Sequence, residues 1–431
     1  MSLIDGHEMK PEASTAARTV AILLCFLALV GDGFNLTVVT LAMPAIASEW
    51  HLRGTEAHGA VFSAGIVGVM IGAPVFGALA DRIGRKPVLV GSLVAFGLSS
   101  LAVPLVSSVS GLLTLRVVTG IGLGGALPLA IVVSAELTPP AWRARVVAIV
   151  SSGATLGAAL SGFAASWLLP GQGWRSLFLF GGVFAITVAV IALPGLLETA
   201  PRRDTGPSES VAPPQVRAIH DLFAGPLAIL TPAIWGLFVA IGLVNYFLVS
   251  WGPTLFIAAG TGAPDVALAM GLFGTSGAIG GICVGWAVDR FRMMPIIGLF
   301  LLAVPAVASL AVPGMSRERL LVTMSVVGFI TFSLQVGING IAASLYPIDL
   351  RARGVGLGLG LGRLGQILGA AGGGLLIGMG VAAPVLFWLL AALLLAAAVA
   401  AALMRAKMVD RERDKRVPCG KAAPKHMPEP T

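Results

Sequence analysis

A single carboxylate, Asp32, stands inside the first long apolar run of the chain, and Asn35 follows it by one helical turn on the same face. An apolar medium penalises the charged form of a carboxyl, so a side chain there can take up and release a proton. Asn35 can hydrogen-bond a cargo but cannot titrate. Two cations, Arg116 and Arg363, also fall inside apolar runs; a guanidinium offers a carboxylate two parallel hydrogen bonds. Glu136 ends the fourth run, where it can relay a proton or gate. Asn245, Tyr246 and Trp251 in the seventh run can stack on and hydrogen-bond a flat ring. Gln335 and Asn339 are spaced i,i+4 in the tenth and face one way. Together these groups suit binding of an organic anion and movement of a proton. Each has a plainer alternative. Asp32 could be locked to an arginine, Arg363 could bond helix backbone, and Glu136 could sit in a helix-end salt bridge. Trp251 could be ordinary packing or part of an interfacial belt, and Gln335 and Asn339 could be polar glue between helices.

The elements that must position these groups are membrane helices. The chain has 431 residues, 57% hydrophobic and 11% charged, with a mean hydropathy of +0.94. Soluble domains carry about 25% charged residues, so soluble enzymes, nucleic-acid binders and secreted scaffolds are excluded. A bilayer core of about 30 Å needs about 20 apolar residues per helix. Twelve such runs are expected: 20–44, 58–80, 88–107, 112–134, 146–169, 175–197, 229–257, 266–288, 294–313, 319–344, 354–379 and 382–404. They are too long, and too continuously apolar, for barrel strands. Of the 28 Lys and Arg residues, 22 fall on the side of the N-terminus and four on the other, and the two left over are Arg116 and Arg363. That asymmetry predicts that both termini are cytoplasmic. The net charge of +8 then reflects loop topology, with no nucleic-acid partner implied. No cleavable signal peptide is expected. The three cysteines form no disulfide framework, and the five histidines lack metal-ligand spacing. Glycine-rich fragments such as Gly120-x-Gly122-x-Gly124 lack a preceding strand, and no Walker-type sequence points to ATP.

The chain also repeats itself. Gly77-Ala-Leu-Ala-Asp81-Arg82 follows the second run and Gly285-Trp-Ala-Val-Asp289-Arg290 follows the eighth, an offset of 208 residues. Pro139 with Arg143 and Arg145 precedes the fifth; Pro347 with Arg351 and Arg353 precedes the eleventh, again 208 residues on. The expected organisation is a cytoplasmic segment 1–19, a six-helix bundle 20–197, a proline-rich cytoplasmic linker 198–228, a second six-helix bundle 229–404 and a cytoplasmic tail 405–431. Two related bundles with polar groups near the midplane fit an alternating-access transporter.

These residues resemble the major facilitator superfamily. Gly77-x3-Asp81-Arg82-x-Gly84-Arg85-Lys86 is similar to its loop motif between spans two and three, and Arg116-x3-Gly120-x-Gly122 resembles its fourth-span motif. A narrower resemblance is to the aromatic acid:proton symporters. It is carried by Asp32-Gly33-Phe34-Asn35, by Gly120 through Pro128 with Glu136, and by Asn245-Tyr246-Phe247 with Trp251. It continues through Gln335-x-Gly337-x-Asn339, Tyr346-Pro347, Arg351, Gly354-Val355-Gly356 and Gly362-Arg363. Asn35 stands where that family has a second Asp, which removes one of two candidate proton carriers, and Leu129 stands where many members have Asn.

The resemblance implies an all-α fold of twelve transmembrane helices in two pseudo-symmetric six-helix bundles. It implies proton coupling through Asp32, Glu136 and Arg116, the last as a coupling residue paired with an acid. Substrate would meet Asn35, Arg116, Asn245, Tyr246, Trp251, Gln335, Asn339 and Arg363. A gate would be formed by Gly77, Asp81, Arg82, Gly84, Arg85, Lys86, Asp289, Arg290 and Arg351. Asp81 can accept from a helix N-terminus of the other half, and Arg85 and Lys86 can pair with acids or lipid headgroups. The function implied is import of a small aromatic carboxylate by a monomer in a bacterial inner membrane. It would be driven by the proton gradient, with no cofactor, and would not be an enzyme. An exporter is the rival, since Gly153-x3-Gly157-x4-Gly162 partly resembles the antiporter motif, with Ala158 and Ser161 at two of its positions. A non-transporting sensor would need a signalling domain that the short tail has no room for.

Overall fold

The computed structural model of the chain describes residues 14–52, 56–196, 219–225 and 227–416. The expected segment up to residue 13, most of the linker 198–228 and the tail beyond 416 lie outside the described residues. The described residues form helices and no strand. In chain order these are α1 (Thr15–Glu49), α2 (Glu56–Ile83), α3 (Arg85–Ala102), α4 (Val109–Glu136) and α5 (Arg143–Gly195). Then follow α6 (Leu227–Ala258), α7 (Ala263–Phe291), α8 (Met294–Ala308), α9 (Arg317–Leu345), α10 (Ile348–Ile367), α11 (Gly373–Gly378) and α12 (Ala383–Arg416).

Among the described residues, ten helices are long and apolar enough to cross a membrane. One of these, α5, has 53 residues, which at 1.5 Å each is about 80 Å and far exceeds one bilayer crossing. It breaks at Gly173, whose φ of 72° only glycine adopts without strain. A loop was expected at 170–174; a single residue turns the chain instead. The eleventh expected run is also assembled differently. Helices α10 and α11 join through a π turn, Leu368–Gly372, into one continuous helical run. Counting two arms of α5 and this joined run gives twelve helical rods among the described residues.

Packing divides the rods into two groups. Helices α1, α2, α3, α4 and α5 pack mainly on one another, as do α6 to α12, and α5 against α7 is the main bridge between them. Apolar burial does not drive helices together in lipid, so close backbone approach through small residues does. In the α2–α4 seam a side chain on Gly68 or Gly72 would strike the Val117 or Ile121 carbonyl, and one on Gly120 would strike that of Gly65. Ser14, Ser108 and Ser316 cap the starts of α1, α4 and α9 by accepting from the backbone N–H three residues on.

Following the connections, α1 starts and α12 ends on one face, here called the near face; α2, α4, α7 and α9 start on the far face. The groups touch closely toward the far face. Trp251 of α6 meets Phe62 of α2 edge-on at 5.5 Å between ring centroids, and His58 lies 5.9 Å from the same indole. A side chain on Gly162 would strike the backbone of Gly271, and one on Gly274 would crowd Ala159. Toward the near face Asp81 and Asp289 are exposed, and side chains added to Gly77 or Gly285 would meet nothing within 4 Å.

Candidate functional site

Asp32 is the central residue of α1, seventeen residues from either end, or about 25 Å. It is 5% exposed and borders a cavity of about 340 Å³. The walls are Leu36 of α1; Val69, Met70 and Ala73 of α2; Leu123, Gly124, Leu127 and Pro128 of α4; and Gly360 and Arg363 of α10. The cavity therefore lies between the two groups of helices, on the near side of Asp32. Arg363 is within electrostatic reach of Asp32, but the two form no ion pair within 4.0 Å. Arg363 Nη1 donates to Gln366 Oε1 at 3.0 Å, one turn along α10.

Just beyond, a gap of about 10 Å³, the space of about one water, is lined by Asn35, Arg116, Thr119, Tyr246 and Phe62 among others. Leu36 and Leu123 border both spaces and form the partition. Arg116 is 2% exposed. Its Nη1 donates to the Asn35 carbonyl and its Nη2 to the Thr119 hydroxyl, each at 3.2 Å, and its guanidinium lies 5.2 Å from the Phe178 ring centroid. The acid partner that the resemblance implied for Arg116 is absent among the described residues. The Asn35 side-chain amide donates to the Gly31 carbonyl at 2.9 Å and the Gly181 carbonyl at 3.3 Å, while its Oδ1 is buried and accepts from no described group. A small-residue seam holds this part of α1, because a side chain on Gly33 would overlap the Ala154 carbonyl.

The remaining sequence candidates lie elsewhere. Trp251 is fully buried and donates through Nε1 to the Ala370 carbonyl at 2.8 Å, so its ring serves the contact at the far face and borders neither space. Asn245 donates to the Thr331 carbonyl at 3.4 Å. Its Oδ1 and that of Asn339 are buried and accept from no described group. Gln335 is half-buried on α9 and borders neither space. Glu136 pairs with Arg85 at the near face, tying the end of α4 to the start of α3, and does not line the cavity of Asp32. Asp81 pairs with no described residue; Arg82, Arg290 and Arg351 are exposed, Lys86 is half-buried, and Gly84 turns the chain with φ 96°.

Sequence reasoning missed the apolar walls, Thr119 and Phe178. Thr119 is three residues from Arg116, a spacing that could have drawn attention to it. Nothing local marks Met70 or Leu127 as facing a cavity.

A cavity between two helical bundles, with ionisable groups at its inner end, defines a membrane transport protein. The family model of the Major Facilitator Superfamily matches residues 25–370. The gallate transporter of Pseudomonas putida is 33% identical over 400 residues, covering 87% of this chain and 89% of that protein. The 4-hydroxybenzoate transporter of Pseudomonas aeruginosa is 35% identical over 386 residues, covering 83% and 86%. The 3-(3-hydroxy-phenyl)propionate transporter of Escherichia coli is 33% identical, covering 86% and 90%. Among solved structures, an inward-facing bacterial homologue of the lysosomal transporter Spinster matches with a TM-score of 0.72 at 19% identity, covering 93% and 98%. A D-xylose-proton symporter matches at 0.69 and 14%, covering 90% and 97%. The chain belongs to the Major Facilitator Superfamily and is a multi-pass membrane transporter, not an enzyme.

Proposed function

We propose that this protein is a proton-coupled importer of a small aromatic carboxylate in a bacterial inner membrane, with both termini cytoplasmic. The observation that carries the reading is that Asp32 and Arg363, from different helix groups, border one cavity without pairing with each other. Arg363 is the anion fork and Asp32 the proton carrier. The relatives, which transport gallate, 4-hydroxybenzoate and 3-(3-hydroxy-phenyl)propionate, support an aromatic acid as cargo.

In this reading the far face opens first, Asp32 takes a proton, and the carboxylate docks on Arg363. The halves then rock, the far-face contacts of Trp251, Phe62 and the glycines close, and proton and anion leave at the near face. Asp81 and Asp289, exposed here, engage the opposite half when the near face shuts, with Arg82, Arg290 and Arg351 beside them. One proton with one monoanion moves no net charge, so the pH gradient is the drive. The cycle needs no cofactor and works in a monomer.

The test is uptake of labelled benzoate-type acids into proteoliposomes under an imposed pH gradient. Accumulation should require the gradient and vanish in Asp32→Asn, while exchange of substrate across the membrane persists. Accumulation without a gradient, or unchanged in Asp32→Asn, would falsify the coupling.

A further inference from the structure

Resting on that reading, we infer that the cavity accepts aromatic monocarboxylates carrying at most one ring hydroxyl, and that Gly360 is the specificity-determining position for the size of the ring. The walls are unusually poor in polar groups for a site that would take phenolic acids. Leu36, Val69, Met70, Ala73, Leu123 and Leu127 offer the ring hydrocarbon and a thioether, which suits an aromatic face.

The polar inventory of the wall is short. Arg363 takes the carboxylate, and Asp32 must be free to gain and lose its proton. A third group comes from the main chain. In α4 the Gly124 carbonyl would accept from residue 128, but Pro128 has no N–H, and both residues line the cavity. Without that N–H the carbonyl has no helical donor, and in this inference it accepts from one ring hydroxyl. A second or third hydroxyl would enter the apolar wall without a partner, and a buried unsatisfied hydroxyl weakens binding by about tenfold.

Gly360 sits three residues before Arg363, hence on the same face of α10 and one turn nearer the entrance. A Cβ built there would meet nothing within 4 Å. The missing side chain therefore leaves room beside the fork where a ring extends from the bound carboxylate, and it is not needed for close helix packing. In the α2–α4 seam, by contrast, Gly124 is crowded by the Val69 carbonyl.

The experiment is competition against labelled 4-hydroxybenzoate uptake in proteoliposomes, using benzoate and its 4-hydroxy, 3,4-dihydroxy and 3,4,5-trihydroxy derivatives, with 2-naphthoate for size. Benzoate and the monohydroxy acid should compete within about threefold of each other. Each further hydroxyl should weaken competition by about tenfold. In Gly360→Val, 2-naphthoate should lose at least tenfold more than benzoate, in protein that keeps its melting temperature in detergent. The trihydroxy acid competing as well as the monohydroxy acid would overturn the inference while leaving the aromatic-acid reading intact. Equal losses for both ring sizes in Gly360→Val would remove Gly360 from the site. Failure of 4-hydroxybenzoate and benzoate alike to enter would instead defeat the underlying reading.

Discussion

Arg116 of α4 and Arg363 of α10 each place a guanidinium in the apolar interior, one in each group of helices, and their surroundings differ. Arg116 is almost sealed from solvent and commits its two terminal nitrogens to a carbonyl and a hydroxyl, beneath an aromatic ring. Arg363 is half-buried, holds one side-chain amide within its own helix, and turns toward the larger cavity. A buried cation must have its donors satisfied. Arg116 meets that demand with protein at both terminal nitrogens, leaving its buried Nε without an acceptor among the described residues, and these bonds make it part of the scaffold in this conformation. Arg363 meets it only in part, and a carboxylate is the group that would complete it. The same residue type is thus a brace in one half and a receptor in the other.

Matched lysine substitutions would break this contrast most directly. Arg363→Lys should raise the substrate KM at least tenfold with little change in thermal unfolding temperature, because an ammonium cannot form the two-point contact. Arg116→Lys should show the opposite split. One charge-assisted hydrogen bond is lost, costing about 2 kcal/mol of stability in a detergent melt, with KM within about threefold. Equal KM effects at the two positions would end the distinction. Thr119→Val should cost about 1 kcal/mol by the same melt, since that hydroxyl accepts from Arg116 and also meets the Ser99 hydroxyl at 2.7 Å. Gln366→Leu should have the smallest effect: it releases Arg363 from its one hydrogen-bond partner among the described residues, and transport assays should find KM shifted by less than threefold.

Charge was the legible part of this molecule, because charge in a bilayer is costly and therefore rare. Asp32 and Arg363 are each legible as candidate site residues because they are ionisable groups inside apolar runs, and the structure brings them to one cavity. For Glu136 the sequence leaves open a relay or a helix-end salt bridge; the structure shows the bridge, but its partner Arg85 lies far away in sequence and has no local signature. For Trp251 the sequence leaves open a platform for a ring or ordinary packing; its burial against Phe62 and its bond to Ala370 come from tertiary packing. The walls were illegible for a different reason. A leucine lining a cavity, such as Leu127, and one on the outer surface, such as Leu301, which is 52% exposed, have the same chemistry and lie in equally apolar runs. In a soluble protein the outer face would be polar and the helical period would separate them.

The π turn at Leu368–Gly372 has a consequence for the far-face contact. A π turn carries one residue more than an α turn, so everything after it is rotated by about 100° relative to a regular helix. Gly373, the first residue past it, faces the Trp251 indole so closely that an added side chain would overlap the ring, and Ala370 within the turn accepts the indole N–H. The extra residue thus acts as a phase shifter: deleting one residue from 368–372 would keep the helix, its length and its apolarity, yet swing a different side chain under Trp251 and unseat the outer closure.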